Sequence, residues 1–284
     1  MNIDKTAYKY NKVSLWVLTG LTLTGLMVMQ LTGWQQLLYP MLISLVFSLV
    51  CGVAYIQGWK AIARRAPEAL PKYYLAGSAF RLMASAIVLL VYIYRQDKVE
   101  HEPIGLLLLL LLGGALSTVY ATVLEGVFSG LIERLPIYSY ILYAIITAVM
   151  VGLVEESGKL IALRLFSWRS KHFDFLFDGV VYAVFVSLGF AALENVLYVF
   201  QYGLGNAALR AVTAVPGHMC FSVFMGIFYS RAKLCHIHGM TAQYKRNMRL
   251  AFLVPAGIHA FYDSCAMIGS AQASVVFYLF VAVM

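Results

Sequence analysis

Charge is scarce in this chain: 12% of its 284 residues are Asp, Glu, Lys or Arg, while 62% are hydrophobic. A soluble globular domain carries about a quarter charged residues, so that class is excluded. Apolar and polar residues do not alternate, which removes the strands of a membrane barrel. Long unbroken apolar runs remain, and in lipid such a run satisfies its backbone only as a helix. Cysteine is sparse as well. Cys51, Cys220, Cys235 and Cys265 mostly lie in or beside apolar runs without a CxxC pair, so neither a disulfide framework nor a zinc knuckle is indicated. There is no low-complexity tail, convincing internal repeat or soluble domain. The apolar run after the polar start MNIDKTAYKYNK lacks a small-residue cleavage site and reads as a retained first helix, not a signal peptide. A net charge of +8 would suggest nucleic acid in a soluble protein. In a polytopic one it reflects basic loops against anionic lipid, and no nucleic-acid partner is expected.

The expected fold is therefore all-α, a polytopic transmembrane bundle of about eight membrane helices. They fall near Val13 to Leu31, Leu38 to Ile56, Tyr74 to Tyr94, Ile104 to Leu131, Ile137 to Leu165, Val180 to Gln201, Ala211 to Ser230 and Leu250 to Gly269. The final hydrophobic segment, Val275 to Met284, is too short to cross alone. Trp34, Tyr39, Trp59 and Trp168, near run ends, read as interfacial anchors. Basic loops at 60–72, 164–171 and 231–249 all favour the cytoplasm, yet three expected helices separate the first from the second. One segment must then be split, re-entrant or not spanning, or one loop must break the rule, and the over-long run 104–131 is the first suspect. The two basic loops of the second half are expected to be cytoplasmic.

Intramembrane charge is unevenly spread. Before Pro103 the runs hold only Arg81; after it they hold Glu125, Glu155, Glu156, Lys159, Glu194, His218, His259 and Asp263. Each charge costs at least a few kcal/mol at the bilayer centre, so those retained usually face a protein interior and carry function. A division follows into residues 1–103, an accessory membrane region of unknown role, and 104–284, where the chemistry lies. At 1.5 Å rise per residue, Glu156 lies about 12 Å from Arg164, His259 about 15 Å from Arg249, His218 about 20 Å from Arg231 and Glu194 about 24 Å from Asp178. Four helices thus bring acids and imidazoles into one slab.

Each piece suits peptide hydrolysis. Lys159, at i+4 from Glu155 and i+3 from Glu156, lets two adjacent glutamates play different parts, one of them activating water; a self-neutralising structural pair is the plainer alternative. His259 and Asp263 stand at i and i+4, a spacing that serves either two metal ligands or an imidazole oriented by a carboxylate. His218 follows a Pro-Gly break whose loosened backbone would line a wet cavity. Glu194-Asn195 offers a carboxylate and an amide able to donate to an oxyanion. His218, His259 and Asp263 would complete a zinc site with one open position. Glu125 reads as a packing residue, and Asp178-Gly179 as the cap of the following helix.

The ordered set Glu155-Glu156-x-x-Lys159, Asp178-Gly179 with Tyr182, Phe190-x-x-x-Glu194-Asn195 with Tyr198, His218, and His259-x-x-x-Asp263 resembles the PrsW family of intramembrane proteases over roughly residues 104–268. The resemblance implies a multi-pass peptidase of the bacterial cytoplasmic membrane that makes the first cut in a single-span anti-sigma factor. It also implies that Glu155, Glu156 and His218 are essential, with Glu194, Asn195, His259 and Asp263 in the remaining motifs. Zinc, or a metal-free route in which a glutamate activates water while His218 and Asn195 hold the oxyanion, both fit. The related CAAX prenyl endopeptidases match less well, because the cation here sits one residue nearer as Lys159 and Glu194 stands where they have histidine. Two other classes compete: an ion-coupled transporter using the same acids and histidines as a relay, and a catalytically silent membrane scaffold.

Overall fold

A computed structural model describes residues 3–32, 38–70, 73, 86–98, 100–202 and 204–283, and every regular element among them is helical. The chain divides into two compact units, Met1–Gly77 and Ser78–Met284.

The first unit packs α1 (Ile3–Thr32) against α2 (Leu38–Arg65). The polar start is helical from Ile3 because Ala7 joins Ile56, Trp59 and Ala63 in a small core. Trp59, expected at the interface, is only 2% exposed and belongs to that core. On the outside, Asp4 pairs with Lys60 at 2.8 Å and Arg64 at 2.9 Å, exposed contacts worth at most about 1 kcal/mol.

The second unit holds α3 (Ala86–Gln96), α4 (Ile104–Ile132), α5 (Tyr140–Ser167), α6 (Asp178–Tyr202), α7 (Leu204–Ile237), α8 (Thr241–Ile268) and α9 (Ala271–Val283). Part of the expected third span, 74–85, lies outside the described residues, as does the side chain of Arg81. Helix α4 packs on α5 and α6, α5 on α8, α8 on α7 and α7 on α6, so five helices close into a ring. Small residues let the backbones approach. A Cβ at Gly114 of α4 would collide with the Val186 carbonyl of α6, and one at Gly152 of α5 would sit 2.8 Å from the Ala256 carbonyl of α8. Helices consecutive in the chain run antiparallel while α4 and α6 run parallel, so the start of α4, the end of α5, the start of α6, the end of α7 and the start of α8 share one face. Lys233 donating to the Trp168 carbonyl at 2.6 Å ties that face together.

Among the described residues four helices are long and apolar enough to cross a membrane, α4, α5, α6 over Asp178–Tyr198, and α8, where the whole sequence led to an expectation of about eight. Helices of that length and hydropathy are those of an integral membrane protein. Three expectations are corrected. Helix α4 runs unbroken for 29 residues, so it is not the split segment. The basic stretch 231–249 is almost wholly helical, because Ala232, Cys235, Asn247 and Ala251 give it a buried stripe; only 238–240 turn the chain. Helix α7 continues through Pro216, where buried Ala214, Val215 and His218 hold the backbone in the ring despite the lost donor. The 13-residue α9 is short, as anticipated, and packs Phe277 on Tyr262 of α8 with ring centroids 4.9 Å apart.

Candidate active site

Helix α5 begins where the Ser139 hydroxyl accepts the Leu142 amide, and carries its polar residues inward half way along. Glu156 and Lys159 have no exposed surface, and Glu155 is buried beside them. The Lys159 ammonium has three protons and three partners: Glu156 Oε1 at 2.7 Å, His218 Nδ1 at 3.0 Å and Glu155 Oε2 at 3.3 Å. The Phe190 ring lies 4.2 Å from its nitrogen on another side. A buried ammonium costs a great deal alone, and here each of its protons is spoken for.

That ammonium also fixes a tautomer. Lys159 only donates, so His218 Nδ1 accepts and Nε2–H donates to Glu194 Oε2 at 3.0 Å. His259 is held from both sides, Nδ1 against Glu156 Oε1 at 2.9 Å and Nε2 against Asp263 Oδ2 at 3.3 Å. The two imidazoles meet edge to face, 5.2 Å between centroids. Below His218, the Ser187 and Ser222 hydroxyls both donate to its carbonyl, at 2.8 and 2.9 Å, pinning this turn of α7 to α6.

A cavity of about 20 Å³ opens among these groups, its polar lining drawn from Glu155, Glu194, Tyr198, Arg210, His218, His259 and Asp263. That is room for one water molecule. Glu155 faces the cavity, whereas Glu156 is absent from the lining and holds Lys159 and His259. Ligand atoms of Glu155, Glu156, His218 and His259 all lie within 4.8 Å of one another, so this buried group could hold a metal ion.

The structure thus gathers Glu155, Glu156, Lys159, Glu194, His218 and His259 around one point. Two expected site residues stand outside that set. Asp263, expected either as a metal ligand or as the carboxylate that orients His259, lines the cavity and lies 3.3 Å from His259 Nε2, outside the group of four. Asn195, expected to face an oxyanion, is spent locally: its amide nitrogen donates to Ala191 at 2.7 Å and its oxygen accepts from Arg210 Nε at 2.7 Å. Arg210 is the residue that sequence reasoning missed. Its Nη2 pairs with Glu194 Oε2 at 2.7 Å while its guanidinium lies 3.8 Å from the Tyr198 ring. At the edge of an apolar run, an arginine carries the same pattern as any loop charge. Glu125 leaves Oε1 buried without a hydrogen-bond partner among the described residues, but does not line the cavity. Asp178 opens α6, and its Oδ2 accepts from the Asp174 and Phe175 amides, so it ties down the preceding loop and not the helix's own first turn.

A family model described as PrsW family intramembrane metalloprotease matches residues 102–284. The protein named Protease PrsW in Oceanobacillus iheyensis is 34% identical over 181 residues, covering 64% of this chain and 79% of that protein. Its namesake in Geobacillus kaustophilus is 34% identical over 189 residues, 64% of this chain and 76% of that protein. In Bacillus subtilis the figures are 30% over 192 residues, 64% and 78%. No solved structure matches the chain.

Proposed function

The chain belongs to the PrsW family of intramembrane metalloproteases, and from that membership we propose that it hydrolyses a peptide bond of a membrane-protein substrate with water activated by Glu155. The observation that carries this reading is the one-water cavity walled by Glu155, Glu194, His218 and His259.

Water in that cavity gives a proton to the Glu155 carboxylate as its oxygen attacks the scissile carbonyl carbon. His218 and Arg210 both line the cavity, and their N–H groups would donate to the developing oxyanion. When the carbon–nitrogen bond breaks, Glu155 returns its proton to the leaving amine. Glu156 and Asp263 hold His259 from opposite nitrogens, and Lys159 keeps the two glutamates and His218 in register. Asn195 acts through Arg210. The residues also fit a divalent metal such as zinc: the donors are imidazole nitrogen and carboxylate oxygen, and Glu156 Oε2 is buried with no hydrogen-bond partner. Glu155, Glu156, His259 and, once Lys159 released its Nδ1, His218 would hold such an ion, which would supply Lewis acidity to the carbonyl and to the water.

The substrate is a single-span membrane protein, of which an anti-sigma factor is the leading example, and the site of action is the bacterial cytoplasmic membrane. The shared face bearing Arg164, Arg169, Lys171, Arg231, Lys233, Lys245, Arg246 and Arg249 is cytoplasmic by its charge. Residues 1–103 form a membrane accessory region outside the peptidase proper. The test is reconstitution in liposomes with single-span substrates, comparing wild type with Glu155→Gln, Glu156→Gln and His218→Ala. Cleavage abolished by these changes is expected; intact substrate with a glutamate-dependent proton flux would make the protein a transporter. Metal content and chelator sensitivity of the same preparation separate the two hydrolytic routes.

A further inference from the structure

A second group of acids lies at the other end of α6. Asp178 opens the helix, and one turn later the Tyr182 hydroxyl lies 2.6 Å from Glu102 Oε2 and 3.0 Å from the His172 carbonyl. Glu102 comes from the segment before α4, and Asp97 from the end of α3 on the same segment. All three carboxylates are buried. Among the described residues none of them makes an ion pair, and Asp97, only 3% exposed, leaves Oδ2 buried with no hydrogen-bond partner. An ionised oxygen withdrawn from water without a partner is among the costliest arrangements a protein can hold.

The spacing names what is missing. One ligand atom from each of Asp97, Glu102 and Asp178 lies within 4.8 Å of the other two. Two oxygens bound to one Ca²⁺ at 2.3–2.6 Å are separated by about 5 Å at most, so the three can converge on one ion. The donors are all oxygen, with no imidazole or thiolate among them, which selects a hard cation over zinc. Glu194 lies sixteen residues further along α6, about 24 Å away by helical rise, so this group is separate from the active site. Asp97 also precedes the family match, which begins at residue 102.

We infer that Asp97, Glu102 and Asp178 form a binding site for a hard divalent cation, Ca²⁺ or Mg²⁺, which fastens the 97–102 segment to the head of α6. The cation replaces the repulsion among three carboxylates with a common bond. It acts on the same face as the loop that Asp178 already ties through the Asp174 and Phe175 amides.

The test uses the full-length protein in detergent, stripped with EDTA, and follows its melting temperature as Ca²⁺ or Mg²⁺ is added. Millimolar Ca²⁺ or Mg²⁺ is expected to raise Tm by roughly 3 °C or more. Asp97→Asn should abolish that rise and yet melt higher than wild type in EDTA, since it relieves the crowding; Glu102→Gln should do the same. Glu155→Gln, in the other cluster, should keep the full response. Mn²⁺ titrated by electron paramagnetic resonance should report a bound ion that Asp97→Asn removes and Glu155→Gln retains. A wild type indifferent to both cations, a response unchanged in Asp97→Asn and Glu102→Gln, or a Tm that follows pH alone would overturn the assignment.

Discussion

The two buried acidic clusters of the second unit differ in one respect: who supplies the positive charge. Around Glu155, Glu156 and Glu194 the protein provides it, through Lys159, Arg210 and two imidazoles. Around Asp97, Glu102 and Asp178 the described residues provide only a tyrosine hydroxyl and backbone amides. The first cluster is balanced from within and stays assembled around its cavity; the second is in deficit and draws its partner from solution. Removing a charge should therefore have opposite consequences in the two places.

The largest expected effect is on chemistry. Glu155→Gln should slow cleavage of a reconstituted single-span substrate by about 10²–10⁴-fold, the usual contribution of a positioned base, with helicity by circular dichroism unchanged. Next comes Lys159→Met, which strands Glu156 and should cost about 3–5 kcal/mol in denaturant unfolding, whereas Asp97→Asn should gain stability in EDTA; equal signs would erase the contrast between the clusters. Arg210→Met frees Glu194 and Asn195 together and should lower cleavage by roughly 10–100-fold, with Arg210→Lys a poor rescue because one ammonium cannot serve both acceptors. Gly114→Ala drives a methyl into the Val186 carbonyl and should cost about 1–3 kcal/mol without touching either cluster.

The smallest effect is a pH dependence. Burial, then the crowding of Asp178, Asp97 and Asp174, raises the Glu102 carboxyl from 4.5 to about 7, against the opposing Tyr182 hydrogen bond. Asp97 is raised as well, by burial and by Glu100, with His101 opposing. The folded protein holds a proton that the unfolded chain releases first. Its contribution is full below about 4.5 and is lost as pH rises through about 7. In EDTA the Tm should therefore fall by a few degrees between pH 5 and 8, and saturating Ca²⁺ should flatten that slope.

Much of this was readable from residue order. Unbroken apolar runs mark α4, α5, α6 and α8, because a span in lipid has no other way to close its backbone bonds. The convergence of Glu156, Glu194, His218 and His259 follows from depth alone, since a charge far from both membrane faces must meet another. What escaped the sequence depends on packing. Helix α7 runs on to Ile237 because its basic tail hides a stripe of small residues, and the same tail looks like a loop when only its charge is counted. The division of labour between Glu155 and Glu156 rests on which carboxylate faces the cavity, and adjacent residues on a helix differ by about 100° in direction. Asp97 and Glu102 look like solvated loop acids until Asp178 is brought beside them.

The cavity between Glu155 and His218 admits a water molecule but not a peptide bond. A polypeptide can reach Glu155 only when the helices around the cavity move apart, so entry of substrate requires the five-helix ring to open. Whatever wakes this enzyme therefore has no need to touch its reactive groups; it has only to loosen a door.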